Sequence, residues 1–219
     1  MLGLEATGEL IWAGTLEGEG DVCAADIAVD EERIVVVGGF EDAAIDLDPG
    51  PGVALHAAHG AAGDPPYGSD GFVAALTRGG EYLWGGTLGG SSTDTATDVA
   101  LSPEGAVAVL GAFRSSAVDL SPGSDLVEHP LVAQERCWDE PECYSPRCYG
   151  YERCAANEQD LFVVRLDREG EYLWGGAVGG FDGSDVPAEV ALLDDGSVLV
   201  AAAADGDAVD LDPGEALDL

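Results

Sequence analysis

The hexapeptide EYLWGG occupies residues 81–86 and recurs unchanged at residues 171–176, and a looser copy, ELIWAG, occupies residues 9–14. Each copy is followed by two short apolar runs and then by a turn of the type DLDPG or DLSPG. These turns lie at residues 46–50, 119–123 and 210–214. Motifs that recur in one order at a regular spacing are the signature of a repeat architecture. The chain therefore contains about three copies of one structural unit.

Short β-strands make up each unit. Runs such as FVAAL (residues 72–76) and FVVRL (residues 162–166) precede the hexapeptide, and Gly, Asp and Pro turns separate the successive apolar runs. Runs of β-branched and aromatic residues bounded by such turns favour strands. Four strands with tight turns correspond to one blade of a β-propeller. We predict an all-β, β-propeller-like fold of four-stranded antiparallel blades.

The repeat sets the predicted organisation, a single propeller-type domain over residues 1–219. Its repeat units cover about residues 1–50, 70–123 and 160–214, and its insertions cover about residues 51–69 and 124–159. Two complete blades run from Asp26 to about Leu88 and from Asp98 to about Val178, with half a blade on either side. Natural propellers close with about four to eight blades. About three blades therefore predict either a part of a larger propeller or self-association of copies.

The recurring motifs resemble a known family. The string DGFVAALTRGGEYLWGGTLGGSSTDTATDVALSPEGAVAVLGAF (residues 70–113), its echo DLFVVRLDREGEYLWGGAVGG (residues 160–180) and the trailing VDLDPG resemble bacterial SBBP-type β-propeller repeats. Such repeats occur in large secreted and cell-surface proteins. The resemblance implies a propeller fold and an extracellular or cell-surface setting, and it implies no activity.

Packing between blades explains the hexapeptide. Adjacent sheets of a propeller pack face to face, so a strand needs a large apolar residue such as Trp84 on one face, with Tyr82 two positions away. The glycines after it permit close approach of backbones and a sharp turn. Sugar stacking is the alternative role for Trp12, Trp84 and Trp174, and core packing is the preferred interpretation.

Composition excludes several classes of partner. The chain has 43 acidic and 8 basic residues, all of them Arg, for a net charge of −35. Such a field repels phosphate backbones and anionic lipids, which excludes nucleic acid and membrane surfaces as partners. The acidity itself indicates solvation in a high-salt habitat, with cation binding as the alternative. The start MLGLEATGELIW lacks the features of a signal peptide, so an extracellular setting implies that Met1 is not the natural start.

Blade geometry predicts where the variable segments lie. If DVALS (residues 98–102) is the innermost strand, the long connections after AVAVLGAF (residues 106–113) and after the Gly pair at residues 89–90 emerge on one face of the propeller. Binding sites usually lie on loops that a rigid scaffold holds. We therefore expect the loop-bearing face to carry the function.

The two insertions differ in character. The first contains His56 and His59 in a Gly/Ala/Pro-rich context, which argues against the helix that two histidines three apart would need to share a metal. A flexible, solvated loop is the preferred interpretation, with metal binding as the alternative. The second contains four cysteines, and Cys23 is left over. The four are Cys137, Cys143, Cys148 and Cys154.

Disulfides are the better interpretation of the four cysteines. Their spacings of C-x5-C, C-x4-C and C-x5-C include no C-x2-C knuckle of the kind that zinc sites use. Two disulfides within the insertion would staple a polar loop and imply an oxidising compartment. Four cysteines allow three pairings, and the sequence does not rank them.

The DLDPG turns are the only recurrent carboxylate motif. Asp46 and Asp48, like Asp210 and Asp212, present two carboxylates two residues apart, which suits Ca²⁺. The middle copy has Ser121 in the second position, and calcium needs six to eight oxygens. The Asp-Pro-Gly sequence is also a turn former. A turn is the preferred role, with Ca²⁺ binding as the alternative.

The sequence offers no catalytic constellation. It has three histidines, all in insertions, and none of the G-x-S-x-G, Walker or G-x-G-x-x-G signatures. We predict a non-catalytic extracellular module for binding, adhesion or structural display, with a protein or glycan ligand, no cofactor and no membrane insertion. The alternatives are a carbohydrate-active propeller enzyme, a glycosidase or lyase that needs only paired carboxylates, and a calcium-dependent adhesion module.

Overall fold

The computed structural model describes residues 1–59, 68–122, 130–132, 137–144, 147–154, 159–179 and 184–204, with backbone alone for 130–132, 137–144 and 147–154. Within these ranges all regular structure is β-strand, as predicted. None of the described segments forms a helix that is long and apolar enough to span a membrane.

The strands are numbered in chain order. The first nine are β1 (Leu2–Leu4), β2 (Leu10–Ala13), β3 (Val22–Val29), β4 (Arg33–Phe40), β5 (Ala44–Asp46), β6 (Leu55–Ala57), β7 (Asp70–Thr77), β8 (Tyr82–Gly90) and β9 (Asp94–Leu101). The others are β10 (Val107–Phe113), β11 (Ala117–Asp119), β12 (Pro130–Val132), β13 (Cys137–Tyr144), β14 (Arg147–Cys154), β15 (Asp160–Leu166), β16 (Tyr172–Val178), β17 (Val186–Leu192) and β18 (Val198–Ala203).

Two four-stranded antiparallel meanders form the centre of the structure. One has the order β8-β7-β4-β3 and the other the order β16-β15-β10-β9. The strands β11 and β12 extend the first sheet beyond β8, and β1–β2 and β17–β18 are separate two-stranded sheets. We call β1–β2 layer 1, β3-β4-β7-β8 layer 2, β9-β10-β15-β16 layer 3 and β17–β18 layer 4. Among the described residues, no strand pairing joins layer 1 to layer 4.

Apolar faces of successive layers pack on one another. The largest core lies between layers 2 and 3, and smaller cores lie between layers 1 and 2 and between layers 3 and 4. Alternate residues of a strand face opposite sides, so β4 contributes Val35 and Val37 to the central core and Ile34 and Val36 to the core under layer 1. The second strand of each meander, β4 and likewise β10, is therefore apolar on both faces.

The hexapeptide tryptophans connect each layer to the next. The indole of Trp84 lies over Gly170, in the turn between β15 and β16, and its Nε1–H donates to the carbonyl of Arg168 at 3.0 Å. A Cβ at Gly170, where φ is +88°, would lie 2.6 Å from the ring. Trp12 repeats the arrangement over Gly80, with its Nε1 2.9 Å from the carbonyl of Arg78.

Both tryptophans are half-buried at the margin of a core rather than at its centre. Because the indole also donates a hydrogen bond to the neighbouring layer, core packing alone does not account for the residue type. A tryptophan in this position fixes each layer against the turn of the next, which explains why the hexapeptide recurs.

Residues of the DLDPG and DLSPG turns pack against the hexapeptide glycines. A Cβ at Gly85 would lie 2.8 Å from Leu47, and one at Gly175 would lie 3.0 Å from Leu120. Leu47 and Leu120 are fully buried. The predicted close approach of backbones is found at Gly86, where a Cβ would meet the backbone of Pro122, and a leucine side chain of the other recurrent motif approaches Gly85 and Gly175.

A buried arginine joins layers 2 and 3 beside the Trp84 contact, since both side chains donate to the carbonyl of Arg168. Arg33 is 2% exposed, and its Nε lies 3.0 Å from Asp30 Oδ2. Its guanidinium also donates to the carbonyls of Arg168, at 2.6 Å, and Gly105. One side chain therefore satisfies two backbone acceptors of layer 3.

Candidate functional site

The connections between strands are short at one edge of the layers and longer at the other. Short turns join β7 to β8, β9 to β10, β15 to β16 and β17 to β18 at one edge. At the other edge β4 leads through β5–β6 to β7, and β10 leads through β11–β14 to β15. The register places Phe40 opposite Asp70 and Phe113 opposite Asp160, so both insertions leave from the same edge. We call this the loop-bearing edge.

Two buried carboxylates brace this edge at the start of β7 and β9. Asp70 accepts a hydrogen bond from the backbone amide of His59. Asp94 accepts from the amides of Gly90 at 2.7 Å, Arg114 at 3.0 Å and Ser115 at 3.2 Å, and from the Ser115 hydroxyl at 2.6 Å. The two side chains thereby tie the β8–β9 connection to the neighbouring loops.

Burial decides the charge state of Asp70. It is 4% exposed, and loss of hydration raises the pKa of its carboxyl from 3.8 to about 8, against the opposing effect of the His59 amide and with a further contribution from Asp94. Burial also raises the pKa of Asp94, although its hydrogen bonds from Ser115 and the amides oppose the shift. The protonated form of Asp70 is therefore favoured up to a higher pH than that of an exposed aspartate.

The same arrangement recurs one layer further on. Asp160 opens β15 as Asp70 opens β7, and Asp185 precedes β17 as Asp94 opens β9. Both are buried, and a Cβ at Gly179 would meet both carboxylates. Aligning the repeats would have identified the two pairs, but a sequence with 43 acidic residues gives no sign that these four are the buried ones.

His56 and His59 are parts of the scaffold. His56 lies in β6, and its Nε2 is 3.1 Å from the Tyr82 hydroxyl, whereas Nε2 of His59 is 2.9 Å from the Thr87 hydroxyl. The expectation of a flexible, solvated loop is therefore wrong for residues 55–59. The two histidines have different partners, and no group of three or more metal-binding side chains occurs in the described ranges.

The carboxylates of the first DLDPG turn bind its own backbone. Asp46 Oδ1 accepts from the amides of Asp48 at 3.1 Å and Ala54 at 2.8 Å, and Asp48 Oδ1 accepts from Gly50 at 2.8 Å. In the second turn, Asp119 Oδ1 accepts from Ser121 at 2.9 Å. These bonds are those of a turn-forming aspartate. Asp210 and Asp212 lie outside the described residues.

Acidic side chains also link the first strands of successive layers. Asp26 of β3 accepts a hydrogen bond from the amide of Val99 in β9 at 3.1 Å, and Asp98 of β9 accepts one from Val190 in β17. Burial raises the pKa of Asp98. The hydrogen bond between the side chains of Asp98 and Asp26 and the nearby charge of Asp26 raise it further, whereas the bond from the Val190 amide lowers it. Each acid follows a β-bulge in its strand, which directs it towards the next layer.

The cysteine-rich insertion contains an antiparallel hairpin that the sequence did not predict. The strands β13 and β14 pair over their full lengths, with Cys137 opposite Cys154 and Cys143 opposite Cys148. The disulfides predicted for these four residues lie outside the side chains that the structure describes. Cys23 is free and exposed in β3.

Alternation along the hairpin separates its residues into two faces. All four cysteines fall on one face. The other face has Trp138, Tyr144, Tyr149 and Tyr151 together with two arginines, Arg147 and Arg153, and two glutamates, Glu140 and Glu142. The aromatic face therefore carries two of the eight arginines of the chain. Aromatic residues and arginine are the types enriched in binding surfaces.

Buried aspartates that accept backbone hydrogen bonds characterise the described part of the loop-bearing edge. Asp70 and Asp94 are buried, and backbone amides donate hydrogen bonds to both of them. Comparison with models of known protein families and with curated proteins gives no match for this chain.

Proposed function

We propose that this chain is a non-catalytic β-propeller-type module, extracellular or displayed at a cell surface, whose loop-bearing edge binds a glycan or protein ligand. The observation that carries the proposal is that both insertions arise from the same connection of the repeat and leave from the same edge. Repeated short turns on the opposite edge provide the rigid support that displayed binding loops require.

The propeller arrangement has support from the way the layers meet. In this arrangement each four-stranded layer is a blade, and β3, β9 and β17 are the innermost strands. The bonds from Asp26 to Val99 and from Asp98 to Val190 then join neighbouring blades near the axis. The resemblance to secreted and cell-surface SBBP-type repeats supports the same fold and the extracellular setting.

The hairpin β13–β14 supplies the recognition surface. Its aromatic face combines Trp138 and three tyrosines with two arginines and two glutamates, so the charges of this face balance in a chain of net charge −35. Large aromatic residues offer extensive contact area at a small cost in conformational entropy, and they stack on sugar rings as readily as they pack on protein side chains. A hairpin of this composition suits a glycan or a protein surface.

The alternatives have less support. A glycosidase or lyase needs carboxylates that reach a substrate, and the repeated pairs at the edge are buried. A calcium-dependent adhesion module needs oxygen ligands that are free to converge on the ion, and the carboxylates of Asp46 and Asp48 bind turn amides instead.

A glycan array tests the proposal. The labelled 219-residue chain is applied to immobilised glycans and to a panel of extracellular-matrix proteins, beside the variants Trp138→Ala and Tyr149→Ala. Leu83→Ala, a change at an exposed residue of β8, is the matched control. We expect binding that both hairpin variants weaken at least about tenfold and that Leu83→Ala leaves unchanged. Ligand cleavage, no binding on either panel, or binding that survives both hairpin changes would contradict the proposal.

A further inference from the structure

We propose that a second copy of this chain binds in the open cleft beside β1, so that β17–β18 of one copy and β1–β2 of the other form one complete four-stranded layer. The inference rests on the propeller-type arrangement of the proposed function, and it adds the partner, the surface and the contacts that join the copies.

The cleft lies where a complete layer would have its two inner strands. It has a volume of about 570 Å³ between β1–β2 and the free face of β3–β4. Ile27 and Val29 of β3 are 54% and 52% exposed on this side. The corresponding residues of β9, Val99 and Leu101, pack against layer 2 in the central core. An inner strand pair is therefore what fits the cleft.

Layer 4 consists of such a pair. Val190 and Val198 pack towards layer 3, so Leu199, adjacent to Val198 in the strand, faces away from it and is 56% exposed. On β10 the equivalent face carries Leu110, which layer 4 covers. The uncovered face of layer 4 thus corresponds to a surface that the next layer covers elsewhere in the molecule. In a second copy that next layer begins with Ile27.

The tryptophan contacts place the second copy in the same position. Gly8 has the φ of +86° and the same turn hydrogen bond as Gly80, with its amide 2.8 Å from the carbonyl of Glu5. Trp12 covers Gly80, yet no described atom beyond its chain neighbours lies within 4 Å of a Cβ built at Gly8. Continuing the series places Trp174 of one copy over Gly8 of the second copy. Its indole would then donate to the carbonyl of Ala6.

The inner-strand acids continue in the same way. Asp26 accepts from the amide of Val99, and Asp98 accepts from that of Val190. Glu189 occupies the corresponding position after the bulge of β17. The next amide in the series is that of Ile27 in the second copy. Three independent features of the repeat therefore select the same pair of surfaces.

Two copies close the assembly. Each contributes two complete layers, and two composite layers join them, which makes six. Six lies within the range of about four to eight blades at which propellers close. Both clefts are then filled, and the open edges of β1 and β18 are paired, as closure of a sheet assembly requires.

Charge sets the conditions for association. Each copy has a net charge of −35, so two copies repel each other at low ionic strength. At about 1 M salt the Debye length falls to about 3 Å. Association should therefore strengthen as NaCl is added.

Light scattering coupled to size exclusion tests this proposal on the full 219-residue chain in about 1 M NaCl. We expect twice the 22.3 kDa mass of one chain. Leu199→Asp should weaken association at least about tenfold, and Trp174→Phe, which lacks the indole donor, should weaken it less. Val53→Asp is the matched control, because Val53 is 78% exposed and lies in the turn between β5 and β6.

Circular dichroism establishes that each variant keeps the native spectrum. A monomer at every soluble concentration, an open-ended series of larger species, or equal weakening by Val53→Asp and Leu199→Asp would overturn the proposal. Ligand binding by the hairpin is measured separately on the array, so failure of either proposal is recognised without the other.

A second inference comes from the register of the hairpin alone. We infer that the disulfides connect Cys137 to Cys154 and Cys143 to Cys148. Directly opposite residues of an antiparallel pair alternate between hydrogen-bonded and non-hydrogen-bonded sites. Pro141, opposite Gly150, has no amide hydrogen and so occupies a non-hydrogen-bonded site.

Both cysteine pairs also occupy non-hydrogen-bonded sites, because Cys143 lies two residues and Cys137 four residues from Pro141, and the two kinds of site alternate. Opposite Cα atoms at such sites are about 4.5 Å apart, within the range of about 4.4 to 6.8 Å that a disulfide spans. Cys137 and Cys143 lie six residues apart in one strand, or about 20 Å. Each of the other two pairings would join cysteines about that far apart, which no disulfide can span. The register therefore allows one of the three possible pairings.

Each disulfide forms by thiol–disulfide exchange with an oxidised dithiol carrier. One cysteine thiolate attacks the carrier disulfide, and the second cysteine displaces the carrier from the mixed disulfide. The pair loses two protons and two electrons, and the carrier is released as a dithiol.

Peptide mapping without reduction tests the pairing. The chain is produced in an oxidising compartment with Cys23→Ser, which prevents exchange with the free thiol. Trypsin cleaves after Arg147 and Arg153, and a glutamate-specific protease cleaves between Cys137 and Cys143. We expect the fragment with Cys137 linked to that with Cys154, and the fragment with Cys143 linked to that with Cys148. Either other pairing, or four free thiols, would overturn the inference.

Discussion

The contact between Trp84 and Gly170 predicts a specific energetic coupling between layers 2 and 3. The perturbation is Gly170→Ala. The new methyl group would lie 2.6 Å from the indole, and the residue has a φ of +88°. The control is Gly196→Ala, with a φ of +84°, where the methyl group would approach the flexible end of Arg165 at 3.0 Å. Both changes carry the same backbone cost, and only the first one displaces a packed ring.

The expected magnitudes follow from these contacts. A left-handed alanine costs about 1–2 kcal/mol, and that cost applies to both variants. Displacing Trp84 also breaks its 3.0 Å bond to Arg168, worth about 1 kcal/mol, and loses part of its packing. We expect Gly170→Ala to lower the free energy of unfolding by about 2 kcal/mol more than Gly196→Ala. In a chain of this length that difference corresponds to about 4–8 °C in melting temperature.

A double-mutant cycle in urea measures the coupling. Gly170→Ala is introduced into the wild-type chain and into Trp84→Ala, where the methyl group meets no ring. In the Trp84→Ala chain, we expect Gly170→Ala to lower the free energy of unfolding only as much as Gly196→Ala does. An equal cost of Gly170→Ala in both backgrounds would refute the idea that the tryptophan fixes one layer to the turn of the next.

Three further outcomes are expected. Because burial raises the pKa of Asp70 from 3.8 to about 8 in the folded chain, the free energy of unfolding should fall by about 1.4 kcal/mol for each pH unit between these values. Asp70→Asn should remove that slope, and an unchanged slope in urea titrations would contradict the burial argument. Arg33→Met removes the donor of the Gly105 carbonyl, one of the two donors of the Arg168 carbonyl and the ion pair with Asp30, and it should cost about 2–4 kcal/mol, against less than about 1 for the exposed Arg78→Met. Equal costs would exclude the interlayer role. Since the carboxylates of the turn at residues 46–50 bind backbone amides, Ca²⁺ should raise the melting temperature no more than NaCl of equal ionic strength, and a larger rise would restore the calcium site.

Burial explains why sequence analysis did not identify the buried aspartates and the ordered histidines of the candidate site. The repeats identify the edge from which the insertions leave, because strand order follows from the succession of runs and turns. They do not identify Asp70 and Asp94 as buried, since desolvation depends on loops that return from distant positions. For the same reason, the interpretation of residues 55–59 as a flexible loop failed, because Tyr82 and Thr87 bind the two histidines there.

The sequence by itself determined the repeat unit, the all-β class and the position of nearly every repeat strand, because alternating apolar residues and Gly, Asp and Pro turns are local signals. Only the tertiary structure decided which residues of different repeats meet. Trp84 reaches Gly170 and Asp98 reaches Val190. These contacts depend on how one layer is rotated and displaced on the next, and that geometry is set by packing over whole faces rather than by any single motif.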